Sequence, residues 1–210
     1  MQSAKVLEML NKGLIEQLKA ELRDEIYRES LKANPSAKKR YTAMKKYFTY
    51  VNSVREACKK PALIVWEGEK YTSFCNSYSL VLTKEDCGEM TLFDTDAGNY
   101  PDVTRLIHFD GNKEKLDISK VIAKAKSQGY KLNKSAINDN GYLMFYDGNY
   151  YRIGLVEATY GIINDGEYVT AYHIPNSMRP LVLKNDLGVA VIMPMRYESE
   201  PDDGVIIIEA

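Results

Sequence analysis

The chain has 210 residues, 45% of them hydrophobic, and a formal net charge of −1 at pH 7, which suits one buried core or one domain with an appendage. No uninterrupted apolar run reaches the roughly 18 residues of a membrane span, and Lys5, Glu8, Lys12 and Glu16 interrupt any leader-like N-terminus, so a cytoplasmic chain with no membrane partner is expected. Three cysteines, Cys58, Cys75 and Cys87, lack CxxC spacing and there are only two histidines, His108 and His173, which argues against a disulfide framework or a structural zinc site.

Residues 3–33 read as one amphipathic helix, with Leu7, Leu10, Leu14, Leu18, Leu22 and Ile26 recurring every three or four positions among charges of both signs. Asn34-Pro35 stops it, and residues 35–39, PSAKK, read as a linker between an N-terminal helix, 1–35, and a domain, 36–210. The leucine stripe needs a partner surface. That surface is either its own domain or a second chain, in which case the helix makes a homo-oligomer.

A second helix is expected over 41–58, with Met44, Tyr47, Phe48, Val51 and Val54 on one face and Lys45, Lys46, Thr49 and Asn52 outward. A strand meander follows at 62–66, 71–76, 79–83 and 90–93, with a turn at Glu67-Gly68. A third helix spans 117–128, with Ile118, Val121, Ile122 and Ala125 inward and Lys120, Lys124, Ser127 and Lys131 in one outward row. A second meander is expected at 141–146, 150–155, 159–163, 168–173, 181–183 and 189–193, with a turn at Asp147-Gly148. The last strand runs into AVIMPMR, 190–196, where Pro194 ends the ladder and Met193, Met195 and Arg196 stand at the strand end.

The two meanders repeat each other at a spacing of 80: Leu63 lies over Leu143, Trp66 over Tyr146, Gly68 over Gly148 and Tyr71 over Tyr151. Charge repeats with them. Residues 36–60 carry eight basic side chains against one acidic, and 111–134 carry seven against two, while 61–110 carry three against nine and 197–210 none against five. The positive charge is therefore concentrated on the second and third helices, which suits contact with a polyanion.

AVIMPMR, with the preceding PLVL of 180–183, resembles the last hairpin of the bacterial DNA polymerase III beta subunit, the sliding clamp. NYPDVTRLI, 99–107, is similar to a segment between clamp domains, and DGNYYRIG, 147–154, to a clamp domain's middle strands. The resemblance implies an α+β, DNA-clamp-like domain, internally duplicated as helix plus antiparallel meander, with sheets outward and helices toward DNA. It implies Lys45, Lys46, Lys120 and Lys124 as contacts to double-stranded DNA. It also implies a pocket for a polymerase or other clamp-binding peptide formed by Val191, Met193, Pro194, Met195 and Arg196.

The chain departs from the family in two ways. A clamp subunit has three such domains and two subunits close the ring, whereas this chain has room for about one after residue 35. It also continues 14 residues past Arg196, and the apolar stretch 205–208 is either one further strand or a cover for the peptide pocket.

Signals for an enzyme are weak: no P-loop, GxGxxG, nucleophile elbow or HExxH is present. Asp94, Asp96 and Asp102 around Gly98 lack an EF-hand's spacing and read as a solvated turn, so neither a metal nor another cofactor is expected. The expected function is a non-catalytic accessory of DNA replication. The alternative is an interaction or regulatory protein that carries the clamp fold without binding DNA.

Overall fold

The computed structural model describes residues 3–11, 13–50, 59–88, 90–95, 100–139, 141–166, 168–198 and 204–210. The N-terminal stripe is not one helix. Gly13, at φ +69°, turns the chain between α1 (Ser3–Asn11) and α2 (Ile15–Ala33), and Lys5 reaches back to Glu21 at 2.6 Å, so the two pack as a helical hairpin. A left-handed φ suits glycine because it has no Cβ to clash.

The expected linker is helical as well. Helix α3 (Pro35–Tyr50) begins at Pro35, where the missing N–H costs nothing, and the Asn34 Oδ1 accepts from the Ala37 N–H at 3.1 Å. Val51, Val54 and Cys58, assigned to this helix from sequence, lie outside the described residues.

A seven-stranded sheet has the order β1-β2-β3-β9-β8-β7-β4, comprising β1 (Ala62–Trp66), β2 (Glu69–Cys75), β3 (Ser79–Thr83), β4 (Asn112–Leu116), β7 (Val169–His173), β8 (Leu181–Lys184) and β9 (Gly188–Ile192). It consists of two meanders, β1-β2-β3 and β7-β8-β9, joined antiparallel through their last strands from Ser79↔Ile192 to Thr83↔Gly188. Each meander is preceded in the chain by a basic helix, α3 for the first and α4 (Ile118–Ser127) for the second. The two meanders, β1-β2-β3 and β7-β8-β9, form matching halves of the large sheet, with residues 134–163 standing between α4 and the second of them.

The similarity at a spacing of 80 has a local cause. It pairs the hairpin β1-β2 with the hairpin of β5 (Tyr142–Tyr146) and β6 (Asn149–Arg152), which belongs to a separate three-stranded sheet completed by β10 (Ile206–Glu209) in the order β10-β5-β6. Both hairpins turn on two residues of positive φ, Glu67 and Gly68 at 52° and 81°, Asp147 and Gly148 at 46° and 82°. That requirement selects an acidic-Gly turn between alternating apolar residues wherever such a hairpin occurs.

Two further expectations are corrected. Residues expected as strand at 159–163 belong to α6 (Ile153–Ile163), which follows β6 directly. Its run IGLVEATYGII is apolar on nearly every face because α6 contacts α3, α4 and α5 (Lys134–Asn138) as well as β3, β9, β5 and β6, and periodicity alone does not separate such a helix from a buried strand. Residues 90–93 form no strand: the Phe93 N–H donates to the Pro61 carbonyl at 2.8 Å and the Met90 N–H to the Cys87 carbonyl at 3.3 Å. Strand β4, rich in lysine and exposed along four of its five residues, shows no apolar alternation and was absent from the sequence reading.

Period-2 alternation gives the large sheet two buried faces. Phe74, Val81, Ala171, Leu183, Ala190 and Ile192 face the helices. Tyr71, Leu80, Leu82, Val182, Val189 and Val191 face the segment carrying Val103, Ile107 and Phe109. Helix α3 is anchored by Tyr47, whose hydroxyl lies 3.0 Å from the Ser79 hydroxyl and accepts from Asn76 Nδ2 at 2.7 Å. Tyr27 and Leu31 tie α2 to the main core.

The C-terminal tail extends a sheet. Strand β10 (Ile206–Glu209) pairs parallel to β5 from Ile206↔Tyr142 to Glu209↔Phe145 and contacts α4, with Ile208 fully buried. Met195 bridges to Tyr150 on β6, at the other edge of that sheet, so β10 does not cover the Met193–Met195 surface. Ile208→Ala is expected to lower unfolding free energy by about 2–4 kcal/mol in a urea titration. Truncation after Tyr197 should destabilise at least as much.

Candidate nucleic-acid and peptide-docking surfaces

Helix α6 lies between α3 and α4, and its outward side is recessed. Small residues contribute to this: a Cβ on Gly161 would sit 3.2 Å from the Ala43 Cβ, a tight contact at the close approach of α3. One groove, between α3 and α6, is lined by Lys39, Lys46, Tyr50, Leu132, Glu157 and Gly161. A second, between α4 and α6, is lined by Ser119, Ala123, Lys126, Glu157 and Asn164. Glu157 is common to both.

The Glu157 carboxylate accepts from Lys126 Nζ at 2.6 Å and is 17% exposed. Burial, then the neighbouring Glu157 charge, pushes the Tyr130 phenol far above its ordinary range, so it stays neutral. The helical face therefore has one acidic group at its centre and lysines along both rims.

All four lysines expected to contact DNA are exposed on α3 and α4. Lys46 lines the groove between α3 and α6. Lys45 holds its ammonium 4.5 Å above the Tyr41 ring, which packs on Tyr27 of α2. Lys120 lies 3.5 Å from the Asp117 carboxylate, whose other oxygen caps α4 by accepting from the Lys120 N–H at 3.0 Å. Lys124 stands in the last turn of α4. Lys39 and Lys126 were missed. Lys39 lay in the supposed linker, and Lys126 is set beside α6 by a helix that the sequence presented as strand.

A second surface lies where the two sheets meet. The Met193 N–H donates to the Tyr78 carbonyl and the Met195 N–H to the Tyr150 carbonyl, both at 2.9 Å, so the segment after β9 stitches the large sheet to β6. Asn76 Oδ1 accepts from the Tyr78 and Ser79 N–H groups at 2.6 and 2.9 Å, a turn that leaves the Tyr78 ring 52% exposed. The Arg152 guanidinium lies 5.5 Å from that ring, and Tyr150 meets Tyr197 edge-on at 5.0 Å.

Met193 and Arg196 are exposed here, and Pro194 and Met195 half-buried. Val191 is not part of this surface: it is buried against the cluster of Val103 and Ile107 on one sheet face. Tyr78 and Arg152 take its place, and neither carried a sequence signal because the sheet pairing that brings them to Met193 is long-range.

The acidic loop behaves as a turn where it is described. The Asp102 carboxylate accepts from Thr104 at 2.7 Å and pairs with Arg105 at 2.7 Å, and these partners hold it below the usual carboxylate range. Asp96, Gly98 and Asn99 lie outside the described residues. Among the described residues no group of three His, Cys, Asp or Glu is placed to hold a metal ion, and no helix is long and apolar enough to cross a membrane.

The arrangement of helices under an antiparallel sheet is found in solved structures. The DNA polymerase III beta subunit of Thermotoga maritima superposes with a TM-score of 0.53 at 10% identity, over 79% of this chain and 64% of that one. The DNA polymerase III subunit beta of Borrelia burgdorferi, solved with a natural product, gives 0.49 at 13% identity, over 76% of this chain and 62% of that one. This chain spans less than two thirds of the length of either subunit. No family model matches the sequence, and no curated protein matches it. The fold is that of a DNA sliding clamp, a mixed helix and antiparallel-sheet architecture.

Proposed function

We propose that this chain is a non-catalytic accessory of DNA replication, located in the cytoplasm, that contacts duplex DNA through its helical layer. The observation that carries the reading is the placement of lysines: Lys39 and Lys46 on α3 and Lys126 on α4 rim the grooves beside α6, with Lys45, Lys120 and Lys124 on the same two helices. Phosphates attract such a surface without sequence readout, through released counterions, and no bidentate base contact is needed. Self-association through the N-terminal helices belongs to the same reading, since one domain of this size does not surround a duplex.

The junction of the two sheets supports a second role, as a dock for a short apolar peptide of a polymerase or another clamp-binding protein. Exposed Tyr78 and Met193 offer apolar contact, and Arg196 offers a planar fork for a carbonyl or carboxylate. If this surface acts alone, the chain is an interaction protein that carries the clamp fold without binding DNA.

Retention of duplex DNA should fall by about a hundredfold or more between 50 and 200 mM salt if four or more lysines meet phosphates. Reversing Lys39, Lys46, Lys120 and Lys124 to Glu should abolish it, with Lys126 left in place because it holds Glu157. An absence of salt-dependent retention at low ionic strength would leave the interaction-protein reading standing. For the second surface, Tyr78→Glu with Met193→Glu should remove binding of a clamp-motif peptide, read by fluorescence anisotropy, while thermal stability stays within about 0.5 kcal/mol because both side chains are exposed.

A further inference from the structure

The groove between α4 and α6 has two charged groups in its lining, Lys126 and Glu157, and they are in contact: Lys126 Nζ donates to Glu157 Oε1 at 2.6 Å. That groove is neutral, whereas the one between α3 and α6 sets Lys39 and Lys46 against the same Glu157. We propose that Glu157 withholds Lys126 from phosphate, so that the helical layer holds duplex DNA through Lys39, Lys46, Lys120 and Lys124 and not in the α4–α6 groove. The inference rests on the reading that this layer contacts DNA, and it names the residue that sets where phosphates are held.

Burial separates this ion pair from the others on the layer. The Glu157 side chain is 17% exposed and Lys126 51%, whereas the Lys120–Asp117 pair is longer, at 3.5 Å, and its lysine is 79% exposed. An exposed pair is screened by water and salt, and its lysine exchanges one anion for another at little cost. Lys45 rests on the neutral Tyr41 ring and keeps its full charge. A carboxylate mostly removed from water gives up its cation less readily, because the charge left behind is poorly solvated.

Among the described residues, Lys126 is the cation in contact with Glu157. The neighbouring Tyr130 phenol stays neutral and supplies no charge, and Glu157 Oε2 is buried. A phosphate entering the α4–α6 groove would therefore compete with the carboxylate for one ammonium and leave two anions side by side. Removing the carboxylate charge reverses this. With a neutral amide at 157, Lys126 is free to meet a phosphate, which adds one contact to the layer.

The test is binding of a short fluorescent DNA duplex by the full chain, read by anisotropy between about 50 and 200 mM salt, with Glu157→Gln and with Glu157→Gln combined with Lys126→Gln. One added phosphate contact steepens the dependence of log affinity on log salt by about 0.9, so the affinity of Glu157→Gln relative to wild type should grow about 3.5-fold from the higher salt to the lower. The gain should vanish in the double variant. Glutamine preserves the side-chain shape, and an unchanged melting midpoint checks the fold. Lysine methylation of the unsubstituted chain gives a reading that needs no variant: duplex DNA should protect Lys39 and Lys46 and leave Lys126 as reactive as before. Protection of Lys126, or an unchanged salt slope in Glu157→Gln, overturns the proposal while the DNA reading stands. A gain that survives in the double variant shows general repulsion by Glu157 and overturns the withholding of Lys126. If neither wild type nor Glu157→Gln retains duplex at the lowest salt, the DNA reading falls and this proposal with it.

Discussion

The burial of α6 is the constraint on which the other elements depend. Nine of its eleven residues are buried, and a helix apolar on all sides is stable only when other elements cover every side. The large sheet covers one side through β3 and β9, the β5-β6 hairpin another, and α3, α4 and α5 the rest. Two glycines set the spacing. A Cβ on Gly154 would lie 2.3 Å from the Ala136 carbonyl oxygen, and Gly161 admits α3. The two basic helices stand where they do because α6 holds them apart.

This dependence explains what was legible in the sequence. Helix α4 is readable almost to the residue, since Ile118, Val121, Ile122 and Ala125 recur at helical spacing after a capping Asp117. The hairpin turns are readable because positive φ at two successive residues restricts what stands there. Strands β7, β8 and β9 are legible as short apolar runs with polar breaks. Helix α6 is not, because full burial removes the alternation that marks a half-buried element, and Ile, Val, Thr and Tyr suit a strand equally well.

The same loss of pattern displaced the candidate sites. Charge counting located the basic helices correctly, for lysine on a helix face needs only local sequence to be seen. Which lysines stand together is a tertiary matter. Lys46 and Lys126 come to one recessed face through α6, whereas Lys45 and Lys120 take local partners, the Tyr41 ring and Asp117. At the sheet junction, the segment Met193–Arg196 is visible as a terminal motif, but the burial of Val191 is not, because Val103 and Ile107, which cover it, reach the sheet by long-range packing.

The tail shows how topology decides between two roles for the same residues. Its apolar stretch has the composition of either a strand or a bound peptide, and composition alone leaves the two equal. Parallel pairing with β5 decides the matter, since the free edge of β5 lies across the small sheet from the edge of β6 that Met195 already occupies. β10 pairs along one edge of the β5-β6 hairpin, and Met195 bridges to Tyr150 at the other. The side chains of Met193 and Tyr78 remain outside this pairing and exposed. This surface thus presents side chains and not a free strand edge along Met195.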